Sequence, residues 1–131
     1  MTDQTQVVRD IYTAFGEGRI PDILARLADD ITFIQPGGPD IPWAGAYKGP
    51  ADVGRFFAKL DDAVAVDAFE PREYVTQGDT VVALGAWAGK ARATGKPFAS
   101  TWSMTWKFQS GKVSFYEAFE DTAVMAPAFR A

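Results

Sequence analysis

Histidine and cysteine are both missing from this chain, and the two absences remove much of the usual catalytic chemistry. Ser-His-Asp and Cys-His nucleophile pairs, thiolate zinc sites and histidine-ligated iron or zinc each need one of those side chains. Any acid or base must therefore be Asp, Glu, Tyr or Lys. A hard-cation site would need oxygens spaced along a loop, as in calcium-binding loops, and no such spacing occurs, so no metal or other cofactor is expected. There is no run of Lys or Arg either. Thirteen basic side chains face 17 acidic ones, for a net charge of −4, which argues against nucleic acid or an anionic membrane as partner. Nor does any apolar stretch approach the ~20 residues of a membrane-spanning helix. The start of the chain lacks the charged, apolar, small-residue pattern of a signal peptide, and a cytoplasmic protein is expected.

What the chain does have is a near-average globular composition, 47% hydrophobic and 23% charged over 131 residues. That is enough for one domain, 1–131, with its own core. Its most regular stretch runs from Phe98 to Asp121. Trp102, Met104, Trp106 and Phe108 alternate with Thr101, Ser103, Thr105 and Lys107, the two-residue period of a strand. Ser110-Gly111 breaks the pattern and a second apolar-rich arm follows, so the two arms are predicted to pair as a hairpin. This aromatic face runs into an acidic end, Glu117, Glu120 and Asp121. Carboxylates at the rim of an aromatic wall are what a small-molecule site working by proton transfer requires.

Before this hairpin the period is helical. Asp3 and Gln6 read as a capping box for a helix from about Gln4 to Phe15, with Val8, Ile11, Tyr12 and Phe15 on one side. Pro21 opens a short second helix that is expected to stop near Asp29-Asp30, and Ile31 to Gln35 reads as a brief strand. Residues 36–49 hold three prolines and four glycines and read as an irregular loop carrying Trp43 and Tyr47. Gly49-Pro50 starts a third helix with Val53, Phe56, Phe57 and Leu60 at helical spacing. From Val64 the period becomes two, and four strands are predicted: Val64 to Gln77, Thr80 to Ala91, Pro97 to Gln109 and Lys112 to Glu120. Their short connections imply an antiparallel meander. Pro71 belongs at an edge or a bulge. Asp121-Thr122 is placed to cap a terminal helix carrying Val124, Met125 and Phe129.

Helices first and antiparallel strands after describe an α+β domain, with helices closing one face of a curved sheet. Large side chains inside such a cone either fill it or line a pocket. Trp87, Trp102 and Trp106 are candidates for the wall, Trp102 first because it lies mid-strand, whereas Trp106 and Phe108 near the turn are expected to pack. Trp43 and Tyr47 cover the mouth or anchor their loop. Gln35 and Tyr116 bond a ligand carbonyl or satisfy each other. Asp121 is an acid-base candidate that also suits a helix cap.

The order of elements and the phrases Tyr47 to Phe57 (YKGPADVGRFF), Thr94 to Lys96 (TGK), Trp102 to Phe108 (WSMTWKF) and Ser110 to Thr122 (SGKVSFYEAFEDT) resemble the SnoaL-like group of the nuclear-transport-factor-2-like superfamily. The resemblance covers essentially the whole chain. It implies a cone-shaped α+β roll, frequent dimerisation through the sheet, and kinship with polyketide cyclases, ketosteroid isomerases and limonene epoxide hydrolases. The Arg and two Asp that activate water in the epoxide hydrolases fall here on Gly85, Trp87 and Ala118. The basic Asp of the ketosteroid isomerases, just before a Pro, falls on Gln35. The aspartate of the cyclases, near the end of the last strand, finds Glu117, Glu120 and Asp121 in its neighbourhood. Glu120 has the parity of Tyr116 and Ala118, the side that the comparison gives to the cavity, and is the first candidate. Two functions are expected as alternatives: a cofactor-free isomerase, cyclase or dehydratase acting on a small apolar carbonyl compound, or a non-catalytic binding or dimerisation domain. A homodimer is expected in either case.

Overall fold

A computed structural model describes residues 3–131. Helix α1, Gln4–Gly16, starts at Asp3, whose Oδ1 accepts the Gln6 backbone N–H at 3.3 Å. The reciprocal half of the capping box is missing: the Gln6 amide instead donates to Asp10 at 2.9 Å, one turn on. The buried stripe is Val7, Val8, Ile11, Tyr12 and Ala14. Helix α2, Ile20–Leu24, is a single turn and ends earlier than its acidic residues suggested. The chain is already extended at Leu27, because strand β1 runs Leu27–Gln35, with an irregularity between Leu27 and Thr32 that absorbs Asp29 and Asp30.

The segment expected as loop contains a strand. Gly45–Lys48 forms β2 along the edge of β1, with Tyr47 opposite Phe33. Helix α3, Gly49–Ala63, follows at once. Gly49 makes the turn with φ +78, a conformation open to glycine at little cost. Asp52 reaches back one turn to accept the Lys48 backbone N–H at 2.9 Å, and Val53, Phe56 and Leu60 face inward.

Strands β3 (Val64–Gln77), β4 (Thr80–Ala91), β5 (Pro97–Gln109) and β6 (Lys112–Glu120) have the predicted limits. Ser110 and Gly111 both have positive φ, 52 and 79, as a two-residue hairpin loop between β5 and β6 requires. The six strands order as β2-β1-β6-β5-β4-β3. All neighbours are antiparallel except β1 and β6, which run parallel, a departure from a wholly antiparallel sheet. Pro71 sits on the edge strand β3, beside a register shift between Pro71 and Glu73, where its missing N–H costs no ladder bond. The helices pack on the concave face, α3 chiefly against β1 and α1 against β3 and β4. The chain ends in α4, Thr122–Met125, and a 3-10 turn, Ala126–Phe129. Met125 is buried there, whereas Val124 is exposed.

Candidate functional site

The concave face of β4 alternates Ala83, Gly85 and Gly89 with one large residue, Trp87. Small residues let neighbouring rings lie flat on the sheet. Trp102, opposite Gly85 on β5, uses this space to stack on Phe69, with centroids 5.1 Å apart and planes 13° off parallel. A Cβ at Gly85 would collide with the Trp102 ring and with the Glu70 carbonyl oxygen. Trp102 is thereby packed against β3 and lies outside the cavity lining, which corrects the expectation that it forms the wall. Trp106, expected to pack, does line the cavity. Its indole N–H donates to the Tyr12 hydroxyl at 2.9 Å, and that hydroxyl donates to Met104 Sδ at 3.3 Å. Burial pushes the Tyr12 phenol well above its ordinary pKa, against the pull of the Trp106 N–H. The group stays protonated.

The cavity between sheet and helices has a volume of about 60 Å³. Its walls are almost entirely apolar: Tyr12 and Phe15 of α1, Phe56 and Phe57 of α3, Phe33 of β1, Phe69 of β3 and Trp43 above β2. Besides the Tyr12–Trp106 pair, the lining includes the polar side chains of Gln35, Trp87, Tyr116 and Glu120. Tyr116 stacks on Phe33 at 4.1 Å and meets Trp106 edge-on. The Gln35 side-chain amide donates to its hydroxyl at 3.1 Å, which leaves the phenol its own O–H to donate. Burial, then the neighbouring Tyr12 and Glu120, raise the Tyr116 pKa well above the ordinary phenol value.

Glu120 ends β6 on the concave side, opposite Trp102. Its backbone is fixed from both sides. Ser100 Oγ accepts the Asp121 N–H at 3.0 Å and donates to the Thr101 carbonyl at 2.7 Å, and the Asp121 carboxylate caps α4 by accepting the Val124 N–H at 3.2 Å. The Glu120 carboxyl stands against aromatic carbon, so loss of water disfavours its anion and the pKa is pushed up to about 7. The Trp87 N–H opposes this in part. That N–H is buried and makes no hydrogen bond of full geometry with any described residue; it approaches the carboxyl without closing the bond. Glu120 also borders an outer groove with Arg72, Glu73 and Asp121, which gives its proton a way to solvent. No three Asp or Glu side chains among the described residues gather as metal ligands, and no helix is long and apolar enough to cross a membrane.

A family described as "SnoaL-like domain" matches residues 8–116. The chain belongs to the SnoaL-like family. The fold of this SnoaL-like chain is shared with an NTF2-like protein from Burkholderia xenovorans LB400, which is 31% identical, with 97% of this chain and 95% of that one covered and a TM-score of 0.88. An NTF2-like protein of unknown function from Burkholderia pseudomallei K96243 is 27% identical over the whole of both chains, with a TM-score of 0.91. TerC, co-crystallised with polyporic acid, has the same fold at 22% identity, with 98% of each chain covered and a TM-score of 0.86. No curated protein matches the chain.

Of the residues singled out from the SnoaL-like sequence, the structure brings Gln35, Trp43, Trp87, Tyr116 and Glu120 to one cavity. Tyr47 is buried behind it, its hydroxyl donating to the Trp43 carbonyl at 2.7 Å, so it anchors the loop residue that does line the cavity. Asp121 is exposed and occupied as a helix cap. Tyr12, Met104 and Phe69 line the cavity and were not anticipated there. Tyr12 carried a signal, a phenol on the apolar side of a helix, whose hydroxyl needs a buried partner.

Proposed function

We propose that this SnoaL-like chain is a cofactor-free enzyme that moves a proton on a small apolar carbonyl compound, by isomerisation, cyclisation or dehydration, with Glu120 as acid and base. One observation carries the reading: the single carboxyl of an aromatic cavity, held with a pKa of about 7, exchanges a proton at neutral pH. A Glu120 carboxylate oxygen takes a proton from the carbon beside the carbonyl, and the electron pair moves to the carbonyl oxygen. The enolate oxygen needs donors, and the Tyr116 O–H faces the same space. Glu120 then returns the proton to another carbon, or to a leaving hydroxyl in a dehydration.

A second reading, a non-catalytic binding domain, draws on the cavity volume. About 60 Å³ is well under the roughly 300 Å³ at which ordinary ligand pockets begin. The two readings part in one measurement, exchange of the α-protons of 2-cyclohexenone in D2O followed by NMR. Glu120→Gln keeps shape and hydrogen bonding but carries no exchangeable acid. Catalysed exchange that falls by roughly 10²-fold in the variant supports the enzyme. Exchange no faster than buffer in the wild-type chain, with binding retained, gives the second reading.

A further inference from the structure

Ten aromatic rings and one carboxyl line the cavity, and on that inventory alone two ligand classes compete. An ammonium ion would gain cation–π contacts and pair with the Glu120 anion. A neutral molecule with an oxygen would gain from donors. The state of the donors decides between them. The Trp87 indole N–H is buried without a hydrogen-bond partner among the described residues, on a side chain only 6% exposed that lines the cavity. The Tyr116 hydroxyl receives the Gln35 amide and retains its own hydrogen. An ammonium group has no lone pair and would leave both unsatisfied, which is costly in an apolar site. An oxygen acceptor satisfies them. No Lys or Arg lines the cavity, so a carboxylate or phosphate ligand would meet Glu120 with no counter-charge.

We infer that Trp87 is a specificity-determining residue whose indole N–H donates to the ligand oxygen, and that the cavity selects a neutral oxygen-bearing ring compound over the matching hydrocarbon, amine or acid. This rests on the acid-base reading for where the ligand sits, but not for what Glu120 does. Trp87 lies on β4 and Glu120 at the end of β6, so a ligand oxygen between them is held beside the proton-transfer group. In Trp87→Phe the ring remains and only the donor is lost.

The test uses the whole chain and four probes of one size: 2-cyclohexenone, cyclohexene, cyclohexylammonium and cyclohexanecarboxylate, with affinities from NMR titration at pH 7. The expected order places the ketone tightest. Trp87→Phe should weaken the ketone about tenfold, the loss of one hydrogen bond, and leave cyclohexene within twofold. Thermal unfolding of the free variant at pH 5, where Glu120 carries its proton and draws least on the Trp87 N–H, separates a ligand donor from a structural one: the midpoint should not fall. Tightest binding of the ammonium, unchanged ketone affinity in Trp87→Phe, an equal loss for ketone and cyclohexene, or no binding of any probe overturns the inference. A normal Trp87→Phe effect combined with undiminished proton exchange in Glu120→Gln would sink the acid-base reading alone.

Discussion

Glu120 carries two consequences at the scale of one side chain. The first is linkage between pH and stability. Burial raises its pKa from 4.5 to about 7, so between those values the folded chain holds a proton that the unfolded chain has released. Stability therefore falls as pH rises through that window, and above it the buried anion costs up to roughly 3 kcal/mol. Glu120→Gln has no such dependence. It should withstand more urea than the wild-type chain at pH 8, with the difference closing towards pH 4.5. A difference that stays flat with pH would place the carboxyl in water. The second consequence concerns rate: turnover should rise as pH passes through about 7 and then hold level, because the Glu120 anion is the base and Tyr12 and Tyr116 stay protonated throughout. The choice of Glu120 over Glu117 was legible in strand parity, since Tyr116, Ala118 and Glu120 share one side. The Trp87 N–H beside it was not, because pairing across three strands is needed to bring β4 and β6 together.

At the scale of elements, β4 shows how small residues set a site. Gly85→Ala should cost about 1–3 kcal/mol, since the added methyl has neither the Trp102 ring nor the Glu70 carbonyl free to move aside. Gly54→Ala in α3 is the control. Its Cβ would meet only the Leu24 side chain at 3.4 Å, and better helix propensity should offset any strain. Equal urea midpoints for the two variants would contradict the packing described. Strand limits were legible because period and turn residues agree, as at Ser110-Gly111. Strand β2 was not: four residues among prolines and glycines become a strand only through the edge of β1, and the parallel pairing of β1 with β6 joins segments about 80 residues apart.

The mouth of the cone belongs to the same scale. A cavity of about 60 Å³ is far smaller than ordinary ligand pockets, which begin at roughly 300 Å³, so a ring compound must displace some wall. One wall residue, Trp43, comes from the irregular segment before β2 and meets Phe129 of the C-terminal turn edge-on at 5.3 Å. Surface polar contacts tie the two segments down: Arg130 to Asp40 at 2.9 Å, Lys96 to the Arg130 carbonyl at 2.8 Å and Thr94 to the Ala128 carbonyl at 2.6 Å. Arg130→Ala should speed the association of 2-cyclohexenone severalfold in stopped-flow tryptophan fluorescence, at a stability cost under about 1 kcal/mol for an exposed pair. Added salt should speed the wild-type chain and not the variant. Unchanged rates would put the route elsewhere, between α1 and α3.

For the whole molecule, the convex face of the sheet is the surface left without helices. Cross-strand register sets two rows along it, Glu73–Leu84–Ser103–Phe119 and Val75–Val82–Thr105–Glu117. Phe119 and Val75 are 54% and 60% exposed, each at one end of a row whose middle is half-buried and uncharged. We propose that a second copy of the chain covers this face. A two-fold axis would set each copy's rows against the other's, so the acidic ends Glu73 and Glu117 would need to fall at the rim. A standard interface takes about 800 Å² from each partner, a modest part of the 6892 Å² available. Phe119 is the sharpest probe because alternation sends it outward while its neighbour Glu120 turns in. Phe119→Asp places a charge where the partner's apolar surface should meet it, and burying that charge unpaired is prohibitive. Sedimentation velocity at about 20 µM, well within the range where standard interfaces persist, should give a dimer for the wild-type chain and a monomer for the variant. A wild-type monomer under those conditions would rule out the dimer, and a variant that remains dimeric would place the contact on another surface; either leaves the exposure of Phe119 without a partner to explain it.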